Sequence, residues 1–174
     1  QVGSSAASDV YKRQAIMLSG ETSIGKYPVE CVKFLKSISK RTEKFKTLEY
    51  EKELITNSDW ESIAVAARDL SESINADGII AVTRTGSTAG YISNAKPKDI
   101  PIYTFTNNIN TFNQLSLVGS AIPFYLKRLN NHKKTLEHVR DVLKPLHKKK
   151  KLKFVMVSGI FSEKHSEAIQ IINF

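Results

Sequence analysis

From Gly78 onward the chain alternates between short apolar runs and stretches with helical spacing, and that alternation constrains the fold more than any other feature. Gly78-Ile79-Ile80-Ala81-Val82-Thr83 is a continuous apolar run, the pattern of a strand covered on both faces. A small-residue turn follows, then a helical stretch with Ala89, Ile92 and Ala95 that Pro97 stops. Ile102-Tyr103-Thr104-Phe105 reads as a second strand, and Asn107 or Asn108 can cap a short helix through Leu117. Ala121–Leu126 is a third strand; Pro123 cannot donate to a ladder, which predicts an edge position or a bulge. Asn130 and Asn131 precede a helix with Leu136, Val139 and Leu143 on one side. Lys153–Ser158 is a fourth strand and Ala168–Ile172 a fifth. The loop between them, Gly159–Glu167, is short for a helical crossover, so an antiparallel hairpin is expected. The pattern predicts an α/β fold: a three-layer α/β/α sandwich with a mainly parallel five-stranded sheet whose last strand is antiparallel.

Upstream, Ser58-Asp59-Trp60-Glu61 forms a capping box, with Ser58 as N-cap. Ile63, Ala66, Ala67, Leu70 and Ile74 then make one apolar face of a helix ending near Asn75. Residues 47–57 are polar and charged and read as a linker. Residues 28–46 read as one helix, opened by Pro28 at a first helical position and closed by Lys40, Arg41, Lys44 and Lys46 at the negative end of its dipole. Its apolar positions are Val29, Val32, Leu35 and Ile38. Before it, Met17-Leu18-Ser19-Gly20-Glu21-Thr22 and Gly25-Lys26-Tyr27-Pro28 spell strand end, turn, helix start. Residues 1–14 are small and polar without a period. They look like a leader foreign to the rest, which itself reads as a piece of a longer protein.

Several classes fall away on composition. Hydrophobic content of 41% and charged content of 25% are globular values. No run of ~18 apolar residues exists and no signal peptide is visible, so no membrane partner is expected. Cys31 is a single cysteine, which excludes an internal disulfide framework and a multi-cysteine zinc site; it reads as a small helix residue. The net charge is +9, much of it between Lys127 and Lys153, including Lys148-Lys149-Lys150-Lys151. No aromatic residues interleave with these lysines and no nucleic-acid-binding motif accompanies them, so a solvated surface is the favoured reading. His132, His138 and His147 lie on or beside this basic helix, and no carboxylate cluster suggests a metal site.

The chemistry points to Thr83-Arg84-Thr85-Gly86-Ser87-Thr88, between the first strand of the alternation and its helix. Hydroxyls, a glycine and a guanidinium share six positions. A loop at a strand's carboxyl end exposes N–H groups at a helix start, where the dipole favours an anion, and arginine can hold two phosphate oxygens at once. The spacing is neither a Walker loop nor a dinucleotide fingerprint. From the residues alone, a phosphate site and an ordinary Ser/Thr-capped helix are both open.

The run Met17–Thr22 with Gly25-Lys26-Tyr27-Pro28 closely resembles the M-L-S-G-E-T-x-x-G-x-Y-P signature of the pyruvate kinases. Ile79–Leu126 and Val155-Met156-Val157-Ser158-Gly159 resemble that family's C-terminal domain. The resemblance implies that residues 15–46 are the end of a (β/α)8 catalytic barrel, with the helix a remnant of it, and that residues 58–174 are the allosteric domain. It implies a parent phosphotransferase of glycolysis that makes ATP and pyruvate from phosphoenolpyruvate and ADP. That enzyme is cytoplasmic and homotetrameric and needs Mg and K, whose ligands lie on barrel strands outside this chain. Ser19 and Glu21 are rim candidates for the active site, although turn residues is the plainer reading. The chain alone is expected to be inactive. The resemblance also gives Thr83, Arg84, Thr85, Gly86, Ser87 and Thr88 the role of gripping a phosphate of a sugar-phosphate effector. Lys164 and His165 are secondary candidates. Their loop lacks the family's further glycines, and Glu163 and Glu167 would repel phosphate, so fructose bisphosphate is not the expected occupant. The rival is a stand-alone anion-binding or basic nucleic-acid-associated module.

Overall fold

The computed structural model describes residues 16–42, 58–127, 132–149, 151–158 and 168–174. The chain divides into two compact units, Gln1–Glu53 and Leu54–Phe174. The proposed leader 1–14 and linker 47–57 lie outside the described residues.

In the first unit the signature turn is one turn of helix, α1 (Gly20–Ser23). The Ser19 carbonyl accepts the N–H groups of Thr22 and Ser23, and the Thr22 hydroxyl at 3.1 Å. Gly25 follows because a Cβ there would run into the carbonyl of Glu21. Pro28 opens α2 (Pro28–Thr42), with Glu30 in its first turn and Lys40 and Arg41 in its last, charges that suit both dipole ends. The helix expected over 28–46 is described as far as Thr42. No residue of it is buried, and Val29, Val32, Phe34 and Ile38 are exposed.

The described residues of the second unit start at Ser58. The Ser58 hydroxyl accepts the N–H of Glu61 at 3.3 Å and opens α3 (Asp59–Ser73). The chain continues through β1 (Gly78–Val82), α4 (Ser87–Asn94), β2 (Ile102–Thr106), α5 (Ile109–Leu115), β3 (Ala121–Tyr125) and α6 (His132–Leu143). A 3₁₀ turn, Lys144–Leu146, leads to β4 (Lys153–Ser158) and β5 (Ala168–Asn173). The strands lie in the order β3-β2-β1-β4-β5, all parallel except the β4–β5 pair. The antiparallel hairpin and the edge position of Pro123 on β3 are therefore both as the sequence predicts.

Alternation along the strands divides the core into two sides of the sheet. Ile79, Ala81, Ile102, Val155 and Val157 face α3, α4 and α5 through Ala64, Ala67, Ala89, Ile92 and Leu115. Ile80, Val82, Tyr103, Phe105, Phe154 and Met156 face α6 through Val139 and Leu143. The three layers follow. The alanines of α3 and α4 let these helices approach the sheet and each other closely. Arg68 ties them further by donating to the Ala95 carbonyl at 3.0 Å.

The connectivity has a consequence for binding. From β1 the chain steps outward to β2 and β3, and α6 then returns it across the other face to β4, on the far side of β1. The carboxyl ends of β1 and β4, Val82 and Ser158, lie side by side at this reversal. In open α/β sheets that position is where ligands bind.

Candidate functional site

The loop after β1 sits at this reversal. Thr83 is buried and does structural work: its N–H donates to the Phe105 carbonyl at 2.9 Å, and its hydroxyl accepts the Gly86 N–H at 2.9 Å. Arg84 is exposed, and its side chain forms no ion pair with a described residue. Its carbonyl accepts the Thr111 hydroxyl at 2.8 Å, which pins the loop to α5. The exposed Thr85 and Ser87 hydroxyls lie 2.9 Å apart, and Thr85 also accepts the Ser87 N–H at 3.4 Å. Gly86 caps α4 at φ +91°, a left-handed conformation that disfavours any side chain. As the N-cap residue it brings no side-chain acceptor, and at the start of α4 only the Ser87 N–H meets a hydroxyl, that of Thr85. Thr88 is half-buried and lines a cleft of about 10 Å³ with Trp60, Tyr91 and Val157.

Six residues that the sequence treats alike therefore divide. Thr83 and Gly86 shape the turn, while Arg84, Thr85 and Ser87 face outward. The loop after β2 supplies a neighbour that the sequence reading did not assign to the site. Thr106 is buried and accepts the Asn108 N–H at 3.2 Å; Asn108 caps α5 by accepting from Asn110 and Thr111 at 2.9 and 3.3 Å. The sequence signals only a cap at Asn107 or Asn108, and the cap is Asn108. Lys164 and His165 lie outside the described residues. Ser19 and Glu21 are exposed, at and just inside the start of α1; the Ser19 carbonyl serves the local turn, and the Glu21 carbonyl accepts the Cys31 thiol of α2 at 3.7 Å. Among the described residues no three His, Cys, Asp or Glu side chains converge as a metal site would require.

A second polar cluster closes the opposite end of the sheet. Asp77, just before β1, pairs with Lys149 and accepts the Lys153 N–H at 3.0 Å, while its own N–H donates to the Lys153 carbonyl at 2.7 Å. Burial works to raise the Asp77 pKa. The Lys149 and Lys153 hydrogen bonds and the charges of Lys149 and His147 outweigh it, so the carboxyl ends below its ordinary value. Tyr103 shares a 3.1 Å hydrogen bond with Nε2 of His147. Burial, then the Asp77 charge, pushes its phenol above the ordinary range. Lys149 is thus not the simple solvated charge expected of the lysine run.

Residues 61–172 match the family model for the pyruvate kinase α/β domain, well over half of the chain. The chain belongs to the pyruvate kinase family. It is 34% identical over 133 residues to pyruvate kinase 2 of Synechocystis, the match covering 76% of this chain and 22% of that one. It is 36% identical over 127 residues to the pyruvate kinase of Thermotoga maritima, covering 71% and 26%. It thus spans about a quarter of the length of these relatives. In three dimensions it resembles a pyruvate kinase from Cryptosporidium parvum with a TM-score of 0.78 at 20% identity, covering 95% of this chain and 34% of that structure, which supports the fold. No helix among the described residues is long and apolar enough to cross a membrane.

Proposed function

We propose that this chain is the C-terminal part of a cytoplasmic, homotetrameric pyruvate kinase. Residues 15–46 are the closing element of its barrel, with Ser19 and Glu21 at the active-site rim, and residues 58–174 are its regulatory and subunit-contact domain. The parent moves a phosphoryl group from phosphoenolpyruvate to ADP with Mg and K held by barrel residues outside this chain. Such transfer needs metal-bound carboxylates and a cation on the phosphoryl group, so the chain alone turns over nothing. Its own task is to sense a phosphorylated effector through Thr83–Thr88, with Lys164 and His165 as secondary contacts.

The observation that carries this reading is the loop's position and division of labour. It lies at the topological reversal of the sheet, its turn is fixed by Thr83, Gly86 and Thr111, and Arg84, Thr85 and Ser87 are left facing outward. A fixed turn presents a guanidinium, two hydroxyls and a glycine-capped helix start with little reorganisation, which suits a phosphate. Calorimetric titration with a panel of sugar phosphates tests it. Arg84→Ala should weaken binding roughly ten- to a hundredfold, the loss of a charge-assisted contact of about 1.5–3 kcal/mol. If no sugar phosphate binds at millimolar concentration, the loop is a helix start and no more.

A further inference from the structure

The segment Lys144–Lys153 contains six lysines and no acidic residue. It is tied down at three places. His147 meets the Tyr103 hydroxyl at 3.1 Å, Lys149 pairs with Asp77, and the buried Leu152 exchanges two 3.0 Å backbone hydrogen bonds with Phe174. Between and beside these anchors Lys144, Lys148, Lys151 and Lys153 are exposed and have no ion pair among the described residues. Glu72 and Asp99 border the same shallow groove as Lys149, but Glu72 is engaged by the Lys98 N–H at 2.9 Å. Leu146 stands among the lysines with 58% of its surface in water.

Two features separate the polyanions that such a strap could meet. The strap contains no arginine, the side chain suited to bidentate phosphate and base contacts; the nearest described one, Arg140 in the last turn of α6, lies 3.6 Å from the Asp141 carboxylate, and no exposed aromatic residue interleaves with the lysines to stack on bases. A nucleic acid also has no use for an exposed leucine. An anionic bilayer uses both components: its surface potential attracts lysine ammonium groups, and its interface accepts an apolar side chain held out among them. We propose that the Lys144–Lys153 strap is a peripheral docking surface for an anionic phospholipid bilayer. The contact is at the surface only, since no helix among the described residues is long and apolar enough to span. The anchors at His147, Lys149 and Leu152 hold the strap in place, so little ordering is needed on contact.

Co-sedimentation of the full 174-residue chain with phosphatidylserine/phosphatidylcholine vesicles, and with pure phosphatidylcholine vesicles, at 0.1 M salt tests this. The chain should partition onto the anionic vesicles and not onto the neutral ones. Lys148→Gln and Lys151→Gln should each lower partitioning about fivefold, and together roughly twenty-five-fold. Leu146→Ala should lower it severalfold while leaving any binding of a short DNA duplex unchanged. These positions are exposed, and thermal melts should show the variants folded. Equal binding to neutral vesicles would assign the effect to the apolar face of α2 and overturn the proposal. So would anionic binding that survives the double lysine variant, a Leu146→Ala change without effect, or capture of duplex at physiological salt with vesicles ignored.

Discussion

Helices α2 and α3 are the same length, fifteen residues, and both carry an apolar stripe, yet one is seated and the other is not. Helix α3 buries Ala64, Ala67 and Ser71, and its alanines lie in the same core as β1 and β4. Helix α2 has no fully buried residue and exposes Val29, Val32, Phe34 and Ile38. An apolar stripe states which face a helix needs to bury. The size of the residues on it states what kind of surface would fit: small ones where a sheet and a second helix approach closely, large ones where a partner has holes to fill. Among the described residues, Cys31, Leu35 and Ser39 of α2 are half-buried and none is fully buried.

The largest expected effect comes from separating the two. A chain beginning at Asn57 should unfold in one cooperative thermal transition and be at least as soluble as the whole, because the exposed apolar face of α2 is gone. A molten or insoluble product would break the comparison. Next in size are two phenylalanines. Phe154 is fully buried beside Tyr103, His147 and Phe174, with ring centroids 5.9, 5.6 and 5.6 Å away. Phe154→Ala should cost about 3–5 kcal/mol in denaturant titration. Phe34, 68% exposed, should cost within about 0.5 kcal/mol when changed to Ala.

Much of the second unit was legible because its signals are local. Ser58 and Asn108 cap the helices that they precede, Pro123 marks an edge strand, and the short loop before Ala168 announces a hairpin. What escaped the sequence is built across distance. Asp77 meets Lys149 seventy-two positions on, and Tyr103 meets His147 forty-four positions on. Neither pair has a periodicity or spacing to betray it. The candidate loop was half legible. Its polar content could be counted, but which hydroxyl would turn inward depends on Gly86 adopting a left-handed φ and on Thr111 reaching the Arg84 carbonyl, and both are tertiary facts.

The Asp77 pair makes the seated unit sensitive to acid. Its folded carboxyl titrates below the ordinary value of 3.8, so the folded state binds the proton less readily than the unfolded chain. The stability that it contributes is fully present above the ordinary carboxylate range and is lost as pH falls through the lowered folded value. Asp77→Asn should therefore destabilise at pH 6 and do so less at pH 3, measured by urea titration at both. An equal loss at the two values would mean that the pair's charge contributes nothing and only its hydrogen bonds matter.

A smaller effect than that of Phe154 is expected at the two helix starts. The Ser58 hydroxyl satisfies one of the N–H groups that the first turn of α3 would otherwise leave unpaired. Ser58→Ala should cost about 1 kcal/mol, within the usual 0.5–2 for a lost cap, because α3 is part of the cooperative core and its fraying is felt there. Tyr27, which precedes Pro28 and accepts the Cys31 N–H on its carbonyl at 3.1 Å, has no hydroxyl placed to cap. Tyr27→Ser gives α2 the kind of cap that α3 already has. It should raise the helicity of the full chain slightly by circular dichroism and leave the main thermal transition where it was, since α2 contributes no buried residue to that transition. If Tyr27→Ser moved the main transition upward as far as Ser58→Ala moves it down, the two helices would belong to one cooperative unit, and the contrast between them would fail.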